Sequence, residues 1–162
     1  MGKIRFILTS AFKGEILRAT GHYLKEQGYS IKVLDLTDVK NSDRYNPLRY
    51  LRDEISVITL TTNLIRNTTP KKSGASDPFW EKSETALLQA LIFYLLEAAP
   101  EEEQNFGTIM EMLSFAEVRE NDEDYESPLD MLFNEREAED PDSIAVRQYK
   151  VYKLAAGVAT CS

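Results

Sequence analysis

The sequence predicts a mostly α-helical protein with a small N-terminal βαβ unit. The unit covers residues 1–48, and a bundle of about five helices follows over residues 49–162. Three observations carry this prediction. Apolar spacing switches from period two to helical and back to period two before residue 37. Beyond residue 40 no further strand pattern occurs. Starts of the cap-then-proline kind then recur at Asp77-Pro78, Ser127-Pro128 and Asp140-Pro141.

Lys3–Thr9 alternates Ile4, Phe6 and Leu8 with Lys3, Arg5 and Ile7, which predicts a strand. Over residues 12–27, Phe12, Ile16, Leu17, Ala19, Tyr23 and Leu24 form a helical face, and Gly28 supplies the stop. Ser30–Leu36 predicts a second strand, parallel to the first through a right-handed crossover. Asn46-Pro47 disfavours helix before the proline and marks a connector. Leu51–Arg66 is amphipathic, and Asn67–Ser76 is a loop by composition. Pro78–Ala98 is apolar almost all round from Ala86 to Ala99, which predicts the buried central helix. Pro100 predicts another helix, with Glu101, Glu102 and Glu103 at its positive end and Phe106, Ile109, Met110, Met112, Leu113 and Phe115 as its core face. Glu120–Glu126 reads as an acidic loop. Ser127-Pro128 opens the next helix, and Asp140-Pro141 a last one through Ala156. Two parallel strands make a poor sheet alone, since parallel sheets are covered on both faces and have more members.

The chain has 162 residues, 43% hydrophobic and 28% charged, a globular composition. A lone cysteine, Cys161, excludes a disulfide framework and a Cys-based zinc site. A lone histidine, His22, excludes a His-rich metal site and is expected to be structural or exposed. No apolar run reaches the roughly 18 residues of a membrane span, because Gln89 and Glu97 interrupt the longest one. The first residues hold too short an apolar core for a signal peptide, so a cytoplasmic location is expected.

Charge is unevenly spread. Residues 97–142 hold 17 Asp and Glu against Arg119 and Arg136, net −15, whereas residues 1–96 carry +4 and residues 143–162 carry +3. Such a segment repels a phosphate backbone and attracts basic protein surfaces.

No Gly-x-x-x-x-Gly-Lys-[Ser/Thr] string occurs, and Gly14, Gly21 and Gly28 do not form a phosphate cradle. Val33-Leu34-Asp35 ends the second predicted strand with a carboxylate, but Leu36 follows where a Walker B would place Glu. The acidic run from Asp122 fails as a calcium loop, with Ser127 and Phe133 where Gly and Glu are needed. Arg66, Lys71 and Lys72, in a hydroxyl-rich loop, are the best anion-binding candidates, positioned for phosphate and not for reading bases. Phe79 and Trp80 are expected to anchor a first helical turn in the core.

Several strings, in order, resemble one family: Lys13-Gly14-Glu15, Gly28-Tyr29, Ser42-Asp43-Arg44-Tyr45-Asn46-Pro47-Leu48, Asn63 to Thr69, Ser76-Asp77-Pro78-Phe79-Trp80-Glu81-Lys82, and Ala86 to Leu91. They resemble the type IV coupling proteins, the ATPases of conjugative DNA transfer and type IV secretion. The resemblance is closest to those of Gram-positive conjugative elements and covers nearly the whole chain. It implies a membrane-anchored, hexameric parent with a RecA-like motor, linking a relaxase–DNA substrate to the secretion channel. It also implies that the βαβ unit is a slice of the motor sheet. The helices then correspond to the family's all-alpha insertion, which is implicated in substrate recognition. The sequence departs from the family where Thr-Asp-Pro-Lys-Gly-Glu is replaced by Thr9-Ser10-Ala11-Phe12-Lys13-Gly14-Glu15, and again over Val158–Ser162. Without either Walker motif, the expectation is a separate domain or a truncated reading frame and not a working motor.

The resulting expectation is a non-catalytic recognition domain with no cofactor and no metal. Glu117, Glu120, Asp122, Glu123, Asp124 and Glu126 would meet the basic surface of a relaxase or relaxosome accessory protein. Arg66, Lys71 and Lys72 would touch DNA. The rival expectations are an incomplete piece of the coupling ATPase and a free-standing acidic adaptor or inhibitor of the coupling hexamer.

Overall fold

The computed structural model describes residues 14–35, 40, 42–68, 78–116 and 126–160, with side chains over the same ranges except 78–80 and 156–160. The order of elements is α1 (Glu15–Glu26), a 3-10 turn (Pro47–Tyr50), α2 (Glu54–Thr68), α3 (Pro78–Ala98), α4 (Phe106–Ser114), α5 (Pro128–Glu139) and α6 (Ile144–Thr160). The chain divides into two units, Met1–Tyr45 and Asn46–Ser162.

In the first unit α1 stops as its sequence predicts. Gly28 adopts φ 78, a left-handed conformation that costs glycine nothing. Its N–H donates to Lys25 O and that of Tyr29 to Leu24 O, both at 3.0 Å. The pair satisfies two carbonyls at the helix end. Gly21 is the buried residue of α1, and a Cβ there would lie 3.3 Å from Leu17 Cδ1 and 3.8 Å from Ile31 Cδ1. The returning chain thus passes close over the helix.

The expected second strand is corrected here. Ser30 makes an isolated bridge, and residues 31–35 form no strand. Their polar groups are taken by a side-chain loop instead. Val33 N donates to Asp43 Oδ2 at 2.6 Å, Asp43 N to Val33 O at 2.6 Å, and Asp35 N to Ser42 Oγ at 2.9 Å. The Val33 N–H and the Lys32 ammonium hold the Asp43 carboxyl below its usual range. Among the described residues this segment joins no ladder, and local side chains take its polar groups instead. The first expected strand, Lys3–Thr9, lies outside the described residues.

The second unit is built on α3. Ala90, Leu91 and Ile92 are wholly buried and Leu95 nearly so, as expected for a helix apolar on every side. Leu48 and Val57, Ile109, Leu129 and Phe133, and Ala145, Val146 and Tyr149 complete the core. The rings of Phe133 and Tyr149 stack with centroids 4.0 Å apart, and Tyr94 meets Phe133 edge-on at 5.4 Å.

Polar contacts fix the helix directions. Asn46 Nδ2 donates to Gln104 O at 2.6 Å and Arg49 pairs with Glu101 at 3.6 Å, so α2 starts where α3 ends. Gln89 Nε2 reaches Thr61 Oγ1 at 3.1 Å halfway along. Helix α6 likewise begins beside Glu97 of α3. Both therefore run antiparallel to α3, while α5 runs antiparallel to α6, with Glu137 on Lys150 and Asp130 on Lys153.

Three expected helix starts move. Asp53 Oδ1 accepts from Ser56 N at 2.8 Å, so α2 begins at Glu54 and not at Leu51. Pro100 opens a turn closed by Glu103 N on Pro100 O. The helix waits for Asn105, whose Oδ1 caps Thr108 N at 3.2 Å, which leaves Glu101–Glu103 outside the first helical turn. Asp140 ends α5, and its Oδ1 turns the chain through Asp142 N before α6 starts at Ile144. Ser127-Pro128 starts α5 as expected, with a capping box between Ser127 and Asp130.

Candidate recognition surface

Glu97 sits in the last turn of α3, where the helix dipole disfavours an anion. Four donors hold it: Ser143 Oγ at 2.6 Å, Ile144 N at 3.1 Å, Ala145 N at 3.3 Å and Arg136 at 3.3 Å. Glu97 thus caps α6 from another helix. Arg136 also pairs with Glu139 and Asp140, and its Nε is buried without a hydrogen bond.

A second cluster joins α5 to α6. Asp130 accepts from Ser127 Oγ at 2.7 Å and Tyr149 Oη at 2.9 Å, and pairs with Lys153 at 2.9 Å. Burial would raise its pKa, but the hydrogen bonds from Lys153, Ser127 and Tyr149 outweigh that and lower it to about 2. Burial and the Asp130 carboxylate push the Tyr149 phenol up. A phenol held protonated is a hydrogen-bond donor, the opposite of a general base at neutral pH. Both clusters bind helices together.

Arg66 is exposed in the last turn of α2, and Glu126 is exposed just before the α5 cap, its Oε1 accepting from Asn134 Nδ2 at 3.3 Å. The helix directions place both toward the end of the bundle where α3 begins. Lys71, Lys72, Glu117, Glu120, Asp122, Glu123 and Asp124 lie outside the described residues, as do the side chains of Phe79 and Trp80 and all of Cys161. His22 is exposed, as expected, although Glu26 one turn on is a partner at 3.2 Å that the sequence reading did not assign. Among the described residues no group of His, Cys, Asp and Glu is placed to hold a metal, and no helix is long and apolar enough to cross a membrane.

Toward the same end, α3 and α6 leave a groove of about 460 Å³ between them. Ala86, Gln89, Gln148 and Val151 line it, with the exposed Glu81 and Lys82 beside them. Its polar members escaped the sequence reading. The signal was there in Gln89, a carboxamide inside an otherwise apolar helical run, but it served there only to exclude a membrane span.

A family model described as type IV secretory system conjugative DNA transfer matches residues 7–158. No curated protein and no solved structure matches the chain.

Proposed function

We propose, from the premise that the chain belongs to the conjugative DNA transfer family of type IV secretory systems, that it serves this transfer by recognition and not by catalysis. The helical unit 46–162 acts as the all-alpha domain of a coupling protein. It docks a relaxase or a relaxosome accessory protein, with DNA as a secondary contact. In this reading nucleotide hydrolysis belongs to another part of the transfer machinery. The observation that carries it is charge: residues 97–142 hold a net −15 within a chain of −8. An acidic surface of that density draws in basic protein and turns away phosphate. Glu117, Glu120, Asp122, Glu123, Asp124 and Glu126 would meet the partner's cations. Arg66, Lys71 and Lys72 would hold phosphate.

The test is a pull-down of the full chain by the relaxase and accessory proteins of the same conjugative element, at low and physiological salt. Reversing Asp122, Glu123 and Asp124 to lysine should weaken capture by about tenfold or more and flatten its salt dependence. If both are unchanged, acidic docking is wrong. A labelled single strand run in parallel reports the DNA contact, which should weaken with Arg66→Ala, Lys71→Ala and Lys72→Ala combined.

A further inference from the structure

We propose that the exposed face of α4, with Met110 and Phe115 as its apolar anchors, binds a basic amphipathic helix of a partner protein. This rests on the recognition reading and names the kind of segment that the partner presents.

Helix α4 buries Ile109 and Met112, while Met110 and Phe115 stay 66% and 49% exposed. Neither belongs to the core cluster or to the side chains packed against it. Gly107, Met110, Glu111, Ser114 and Phe115 are all exposed, and at helical spacing they fill one sector of about 140°. Met110 and Phe115 stand at its two edges, with Glu111 between them. Single exposed aliphatic residues are ordinary on a protein surface. Methionine and phenylalanine are the types that interfaces enrich, and the flexible thioether adapts to varied partners.

Charge selects the occupant. Residues 97–118 contain six Glu and no Lys or Arg. Glu97 is engaged by Arg136 and the α6 terminus, and Glu101 by Arg49. Glu102 and Glu103, just before α4, and Glu111 on its face are exposed and form no ion pair among the described residues. An apolar face bordered by unpaired carboxylates complements a helix that carries apolar residues on one side and Lys or Arg beside them. It turns away nucleic acid, which needs net cations. A second copy of the chain would set the same carboxylates against one another. Ile55 and Ile58 of α2 are 73% and 45% exposed but stand in a stretch, residues 55–65, without any charge. They supply the control.

The experiment measures capture of the full chain by the relaxase and accessory proteins of the same element, at low and physiological salt. It compares the native chain with Met110→Ser/Phe115→Ser and with Ile55→Ser/Ile58→Ser. Neither pair alters charge, and all four sites are exposed, so thermal midpoints should stay within about 3 °C of the native one. The α4 pair should weaken capture about tenfold with its salt dependence unchanged, and the α2 pair should leave capture unchanged. Met110→Ser alone should weaken it about threefold, which carries the test if the α4 pair proves less stable. Peptides of about 20 residues tiling the captured partner then locate the segment. The one that binds should gain helical circular dichroism on binding, and a proline at its centre should abolish binding. Equal capture of the native chain and the α4 pair overturns the proposal and leaves acidic docking at Asp122, Glu123 and Asp124 standing. Equal loss in the α4 and α2 pairs overturns it as well, and so does a bound peptide that gains no helix. If the native chain captures no partner, the recognition reading fails together with this one.

Discussion

Asp130 accepts hydrogen bonds from Ser127 and Tyr149 and pairs with Lys153 while its side chain is only 13% exposed. Its pKa of about 2 lies below the ordinary 3.8. A carboxyl lowered in the folded state contributes stability that is fully present above its unfolded value and is lost as pH falls through its folded one. The window here is therefore pH 4 down to 2, and the contribution is about 2 kcal/mol. Urea unfolding of the native chain should lose about that much more stability across this window than Asp130→Asn does. Parallel pH profiles for the two would show that Asp130 titrates normally. The substitution also leaves one acceptor oxygen where Ser127 and Tyr149 use two, and removes the charge facing Lys153, so at neutral pH Asp130→Asn should already be less stable.

Helix α6 starts under two caps: Ser143 Oγ accepts from Val146 N at 3.3 Å, and Glu97, 47 positions before Ile144, takes the Ser143 hydroxyl and the first two helical N–H groups. Glu97→Ala strands those donors and leaves Arg136 with one carboxylate fewer, so it should cost about 2–3 kcal/mol in urea unfolding. Glu97→Gln keeps the acceptor but loses the charge and should cost about half of that. A loss under about 0.5 kcal/mol for Glu97→Ala would mean that water serves the α6 terminus equally well. These caps show which helix boundaries a sequence can announce. Ser127 caps its own helix through Asp130, three residues on, and Gly28 ends one by its own backbone freedom, so both were legible. The start of α6 has a local cap as well as Glu97, and Asp140-Pro141 misleads because Ser143 makes the better cap. Pro100 misleads in the same way: Asn105, five residues on, makes the better cap. The alternation over Ser30–Leu36 reads as a strand only if a neighbouring strand accepts it. Asp43 and Ser42 take those groups here.

Among the described residues, every member of the buried core cluster lies at or after Leu48. Composition and periodicity foretold such a bundle, because a helix apolar on all sides must be surrounded. The charge of the candidate site was equally plain in the sequence. The groove was not, since it exists only where antiparallel α3 and α6 part, bringing Gln89 and Gln148 together across 59 positions of chain. In the first unit, by contrast, α1 buries only Gly21 among its described residues, and Ile16 and Tyr23 stay 48% and 63% exposed. Burial of apolar surface supplies most of the drive to fold, so cooperative stability should reside in residues 46–162. A fragment of those residues should unfold in urea as a single sigmoid, with stability within about 1–2 kcal/mol of the full chain. The isolated 1–45 segment should give no such transition. A broad, non-cooperative melt of 46–162 would mean that its core needs the first unit. A single sigmoid would instead allow partner binding to be measured on the helical unit alone.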